Sequence, residues 1–340
     1  MNITFMIGNG FDLNIGLNTQ YKDFYPHYIK NNPDDMIAKS INENTDKWSD
    51  LELALGEFVE NISDDEIDSF FDSKELLEQC LTEYLKEQEN SIDWKSCNGI
   101  GDEFQSNIIK FYKFFGEQEK ISYNALIAKT NRTINYKLIT FNYTNILEKL
   151  VKETDKFAPF TTHKSGVSTY NDHLYSPLHI HGTLSSGLMI GVDNASQIKN
   201  KTIKNSKKYL NYLSRIEFNK ALGENRIKKA KEIIDQSYYI CLFGLSFGET
   251  DEHWWKYLIS WLNLNESRRL VLFVYDKEIN LTTSTQKLRY RDKIRDEFIA
   301  KGKCKDNAII ERIIERIIVI PNSDMFTLKT LKVKELAIKQ

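Results

Sequence analysis

Apolar positions along the chain follow two different periods. Residues 2–7 (N-I-T-F-M-I) form a short apolar run that stops at Gly8-Asn9-Gly10, and an amphipathic stretch follows. That order predicts a strand, a glycine turn and the start of a helix. Between 40 and 131 the spacing turns helical. It runs through Leu51, Leu55, Phe58 and Val59, then Leu76, Leu77, Leu81, Tyr84 and Leu85, then Phe104, Ile108, Phe111, Tyr112 and Phe115. Few strand signals interrupt it, so residues 40–131 read as a helical insertion. Strand-like runs return at 136–142, 177–182, 187–193, 238–244, 270–276 and 316–321. The second and third read as a hairpin around Ser185-Ser186. Several of these runs are continuously apolar, as strands covered by helices on both faces must be.

Strands alternating with helices imply an α/β fold: a Rossmann-like, doubly wound, mostly parallel sheet. The expected organisation is a nucleotide-binding domain built from 1–39 and 132–325, the helical insertion at 40–131, and a C-terminal tail at 326–340. Neither an internal repeat nor a low-complexity tract is present.

Composition narrows the function classes. With 340 residues, 41% of them hydrophobic and 28% charged, the chain can bury a large core and is not a disordered segment. A formal net charge of -2 gives no global attraction for nucleic acid, which is therefore not the favoured partner. The local exception is K-N-K-T-I-K-N-S-K-K (199–208), read as an exposed loop that is either a solvated charge run or a phosphate contact. No run approaches the roughly 20 apolar residues of a membrane span, so no membrane association is expected. The N-terminus lacks a basic region and reads as a strand, not a signal peptide. Cys80, Cys97, Cys241 and Cys304 are scattered and form no C-x-x-C pair. This fits a reducing compartment, excludes a cysteine zinc ribbon, and makes the cytoplasm the expected location.

Four motifs could carry chemistry. In I-G-N-G-F-D-L (7–13), Gly8 and Gly10 permit a tight turn beside a phosphate, with Asn9 between them. Asp12 either accepts from a ribose hydroxyl or caps the helix. The full G-x-G-x-x-G spacing and the lysine of a phosphate-binding loop are both missing. In T-F-N-Y-T-N (140–145), Thr140 and Asn142 stand at a strand end, where doubly wound folds bind ligands. Asn142 could orient a water or a carboxamide, or with Asn145 cap the next helix.

In H-I-H-G (179–182), the two histidines project to one face of a strand. His181, next to Gly182, is the better candidate for a general base, and a histidine pair could also bind metal. In F-G-L-S-F-G-E-T-D-E-H-W-W (243–255), Gly244 and Ser246 suit a phosphate or ribose, while Asp251 and His253 open a helix. Helix capping is an equal reading for Thr250 and Asp251.

These motifs, in this order, resemble the bacteriophage abortive-infection AbiH family. The opening I-G-N-G-F-D-L with Tyr21, Asp23 and Phe24 is the most specific part, and T-F-N-Y-T, H-I-H-G and F-G-x-S-x-G-x-x-D support it. More distantly, the order is similar to the sirtuin-type NAD-binding fold. That likeness implies Gly8 and Gly10 beside a pyrophosphate and Asn142 holding the nicotinamide ribose and a water. It implies His181 near the ribose hydroxyls, with Gly244 and Ser246 at the adenosine half. The chain departs from the sirtuin pattern at Asp12 (a serine there), Phe141 (a glutamine) and Thr144 (an aspartate), and it lacks the zinc cysteines.

The leading expectation is therefore a phage-defence effector that binds NAD or a related nucleotide and hydrolyses its N-glycosidic bond. Asn142 and His181 would be the catalytic residues, NAD the substrate or ligand, and no further cofactor would be needed. The alternatives are a metal-dependent nuclease or phosphoesterase using His179, His181, Asp251 and His253, and a non-catalytic nucleotide sensor. An effector that stays quiet until infection implies control by a phage-derived activator or by self-assembly into a homo-oligomer.

Overall fold

A computed structural model describes residues 1–154 and 159–334. Its strands are β1 (Asn2–Ile7), β2 (Asn135–Thr140), β3 (Thr161–Ser165), β4 (Ser168–Leu174), β5 (Leu178–His179), β6 (Gly182–Thr183), β7 (Gly187–Leu188), β8 (Ser237–Phe243), β9 (Arg269–Val274) and β10 (Ile317–Pro321). The main sheet runs in the order β10-β9-β8-β1-β2-β4-β3. Every pairing from β10 to β2 is parallel; only the edge pair β3–β4 is antiparallel. The fold is thus mixed α/β with a mostly parallel central sheet, as the alternation of runs implied.

Side chains of β1 alternate between the two faces. Ile3, Phe5 and Ile7 join one core with Phe104, Phe111 and Phe326. Met6 joins another with Ile139, Leu242, Trp254, Trp255 and Phe298. Period-two alternation with apolar residues on both sides is what a strand sandwiched between helices requires.

The chain leaves β1 towards β2 on one side and later returns to β8 on the other. Between those neighbours the strand order reverses, and crevices outside the carboxyl ends of the strands form at such a point. β4 and β5 take turns along the free edge of β2: Asn135 and Tyr136 pair with His173 and Leu174, while Ile139 and Thr140 pair with Leu178 and His179. The second pairing brings His179-Ile180-His181 beside Thr140-Phe141-Asn142.

Among the described residues no strand occurs between Ile7 and Asn135; helices run from Tyr21–Asn31 to Glu117–Lys129. Helical residues from Phe24 to Leu85 share a core of their own with Leu184, Leu188, Val192, Ile203 and Leu213. Helices Ile100–Ile109 and Glu117–Lys129 instead pack on the β1 face of the sheet. The segment after β10 is laid into that same core: the Phe326 ring contacts those of Phe5, Phe11, Phe104 and Phe243.

Two expectations change. The lysine-rich stretch is not a loop but two short helices, Lys201–Asn205 and Lys207–Leu213, whose amino ends are capped by the side chains of Asn200 and Ser206. Lys201, Lys204, Lys207 and Lys208 are exposed on them. The expected hairpin exists only as the two-residue strands β6 and β7. None of the described helices is long and apolar enough to cross a membrane.

Candidate functional site

The loops after β1 and β8 are fastened together. Gly8 N–H donates to Phe243 O, and Gly10 N–H to Gly244 O, each at 2.9 Å. Gly244 has φ +66°, and a Cβ on Gly10 would lie 2.4 Å from its Cα. Asn9 spends both ends of its amide on Thr19, donating to the carbonyl at 3.0 Å and accepting from the hydroxyl at 2.6 Å. Ser246 sits exposed on the loop after β8.

Behind this junction lies a buried cluster of polar side chains. Asp12, Asn142, His181 and Arg215 are none of them more than 6% exposed. The Asp12 carboxylate accepts from Asn142 Nδ2 at 3.0 Å and from Thr144 Oγ1 at 2.8 Å, so it braces the β2 loop and does not cap its own helix. Burial raises its pKa to about 7, against the opposing pull of those two hydrogen bonds. Thr140 Oγ1 accepts from Asn142 N at 3.1 Å. The Asn142 carbonyl accepts from His179 Nδ1 at 2.8 Å, and His179 Nε2 meets Glu148. Both ring nitrogens of His179 therefore face oxygen atoms of the protein, a carbonyl and a carboxyl group. With its backbone and amide nitrogen held, Asn142 is left with one unsatisfied group: its buried Oδ1 has no partner. Buried polar atoms in folded proteins are nearly always satisfied, so such an atom marks a place for water or ligand.

His181 is arranged differently. Its Nδ1 lies 3.4 Å from Arg215 Nη1, and its Nε2 lies 3.6 Å from Asp251 Oδ1. A guanidinium can only donate, so Nδ1 accepts and the ring proton sits on Nε2, towards the carboxylate. Burial first, and Arg215 second, lower the His181 pKa to about 4, which keeps the ring neutral. Burial pushes Asp251 up, but Arg215 and His181 outweigh it and hold the carboxyl at about 2. Arg215 also donates to Asp251 Oδ1 at 3.2 Å and to the Thr250 carbonyl. Gly182, at φ +86°, then turns the chain into β6, where a Cβ would strike Gly187 O.

Sequence reasoning missed three groups here. Arg215 opens the helix Arg215–Ala221. Its position is fixed at the base of the 193–213 excursion, where Arg215 N donates to Val192 O and Val192 N to Leu213 O, both at 2.9 Å. Glu52 lies in the first turn of the helix Leu51–Phe58, behind the Asp50 cap. It accepts from Tyr21 OH at 2.6 Å, and burial, then Asp50, raise its carboxyl to about 7. Asp193, 2% exposed, has Oδ1 2.8 Å from His253 Nδ1. No motif marks any of them; only the fold buries them. A separate cleft of about 400 Å³ opens at the amino ends of the strands, lined by residues including Met1, Asn2, Arg132 and Arg268, away from all these groups.

The arrangement is that of an α/β protein with a buried, carboxyl-rich polar cluster at the reversal point of a mostly parallel sheet. The family model of bacteriophage abortive infection AbiH matches residues 4–273, from within β1 to within β9, and includes Asp12, Glu52, Asn142, His181, Asp193, Arg215, Asp251 and His253. The chain belongs to this family, and with it to phage abortive infection. No curated protein matches the chain.

Proposed function

We propose that the protein is the effector of this defence and that it hydrolyses the N-glycosidic bond of NAD or a closely related nucleotide. The observation that carries the reading is Asn142 Oδ1, buried and unpartnered at the carboxyl end of β2, while the rest of the residue is locked by Asp12, Thr140 and His179. An acceptor held this rigidly suits a water or a ribose hydroxyl.

The charge balance supports the same chemistry. Of the four carboxyl groups around the site, Asp251 is paired with Arg215, Asp193 is buried beside His253, and Asp12 and Glu52, with pKa values of about 7, are partly ionised at neutral pH, which leaves a net negative balance. Such an excess favours a ligand with a cationic leaving ring and a ribosyl centre that gains positive charge as the bond breaks. Nicotinamide departs as a neutral molecule and needs no acid. The protein has to orient the ribose, exclude bulk water and admit one water. Asn142 accepts from that water, and the neutral His181 meets the ribose hydroxyls. Gly8, Gly10, Gly244 and Ser246 form the rim at which the pyrophosphate and adenosine would lie.

The test is incubation of the purified protein with NAD, without added metal, and chromatography for nicotinamide. Release that disappears in His181→Ala is the expected result. A folded protein that releases none, even with extract from phage-infected cells added, overturns the reading.

A further inference from the structure

The histidines of the cluster differ in what their nitrogens face. His179 has both against protein oxygens, and His181 has Nδ1 against Arg215 and Nε2 against Asp251. For His181 to take a proton at Nδ1, Arg215 would first have to withdraw. His253 is the exception. Its Nδ1 lies 2.8 Å from Asp193 Oδ1, off the hydrogen-bond line, and its buried Nε2 has no partner at all.

His253 sits in the first turn of the helix Glu252–Asn263, two residues after Asp251, and its ring packs on that of Trp254 at 4.6 Å between centroids. Trp254 meets Phe141, and Phe141 meets His181, edge to face. His253 is close enough to depress the pKa of both His181 and Asp251, and the Asp193 carboxylate raises that of Arg215. These groups belong to one electrostatic site. An imidazole with one nitrogen beside a carboxylate and the other free can take up a proton: the nearby Asp193 charge stabilises the imidazolium that forms, electrostatically and not through a hydrogen bond in line.

We propose that His253, backed by Asp193, is the proton acceptor for the water that attacks the ribosyl carbon, a role that rests on the glycosidase reading above. The step balances as follows. The bond from C1′ to the nicotinamide nitrogen breaks, and its electron pair leaves with the ring, which becomes neutral. The water oxygen bonds to C1′, and its proton passes to His253 Nε2. The products are nicotinamide, ADP-ribose and one proton. His181 is then a substrate-contacting residue, not the base.

The experiment compares the wild type with His253→Ala, His253→Gln, Asp193→Asn and His181→Ala in the nicotinamide assay, each checked for an unchanged unfolding midpoint. Both His253 variants are expected to lose activity roughly 100-fold or more, the usual size of a general-base contribution. Azide, an anionic nucleophile with no proton to give up, is expected to restore turnover in the His253 variants as the 1-azido product, and not in His181→Ala. Folded His253 variants that work within a few-fold of wild type, or that azide fails to restore, overturn the assignment. Failure of the glycosidase reading itself is distinct, because it shows as absence of nicotinamide release by the wild type.

Discussion

Gly10 and Gly244 meet backbone to backbone, with the Gly10 N–H donating to the Gly244 carbonyl at 2.9 Å. The space that a side chain on either glycine would need is occupied by the other loop, which lies within 3 Å of both. A motif that reads as a phosphate cradle is thus, in the first instance, the joint between two strand ends. The joint sets the height at which Asp12 and the β8 loop meet the polar cluster.

Replacing Gly10 by alanine should therefore act on stability before it acts on ligands. Forcing one extra carbon into a packed junction costs about 1–3 kcal/mol. Gly244→Ala adds strain at φ +66°. A lower urea midpoint with an unchanged m-value is the expected signature. A Gly10→Ala protein with wild-type stability and no activity would show that the glycine serves the ligand instead.

Asp12 and Glu52 predict an unusual pH slope. Their folded pKa values, about 7, lie above the ordinary 3.8 and 4.5. Between those values the native protein binds more protons than the unfolded chain, so stability falls as pH rises from roughly 4 to 7. Asp12→Asn removes one of the two contributions. Its urea midpoint should vary less between pH 5 and 8 than that of the wild type and be relatively higher at pH 8. Parallel pH profiles for the two proteins would refute the linkage.

How far the site could be read from sequence depended on whether a residue sat in a strand end. Asn142, His181, Gly244 and Asp12 follow apolar runs closed by polar or glycine residues, and the fold gathers them because β1, β2, β5 and β8 are neighbours. Glu52 sits inside a helical pattern and Asp193 at the end of an apolar run, but neither they nor Arg215 carry a signal of their own, and only tertiary packing buries them. The edge strands β3 and β4 (T-T-H-K-S and S-T-Y-N-D-H-L) were invisible because one side faces solvent and their composition is polar. The helices at 201–213 hid behind their lysines, although the capping residues Asn200 and Ser206 were signals that could have been used.

Arg215 and Asp251 form a buried pair, so removing one partner should cost more than removing both. Arg215→Ala leaves the Asp251 carboxylate without the cation that does most to hold its pKa at about 2, a loss of about 3–5 kcal/mol. The double variant Arg215→Ala/Asp251→Ala should be less destabilised than the sum of the singles by more than about 1 kcal/mol. Additive losses in denaturant titrations would mean the pair is not coupled. The sign with pH is opposite to that of Asp12: this contribution is present above pH 3.8 and is lost as pH falls through about 2.

Chelation separates the glycosidase from a metal-dependent nuclease. The nuclease reading required His179, His181, Asp251 and His253 to converge on one ion. Among the described residues no three His, Cys, Asp or Glu side chains are grouped in that way. The reason is visible in the bonding: His179 is committed to Asn142 and Glu148, and His181 to Arg215 and Asp251. Gathering them around a metal would mean breaking both sets of contacts and leaving Arg215 beside the cation. Nicotinamide release should therefore be unchanged in EDTA. The exposed lysines 201, 204 and 207, which the nuclease would need for a phosphate backbone, should tolerate exchange to glutamate without loss of NAD cleavage. Activity that vanishes in EDTA and returns with a divalent ion, together with loss of function in the lysine variants, would favour the nuclease.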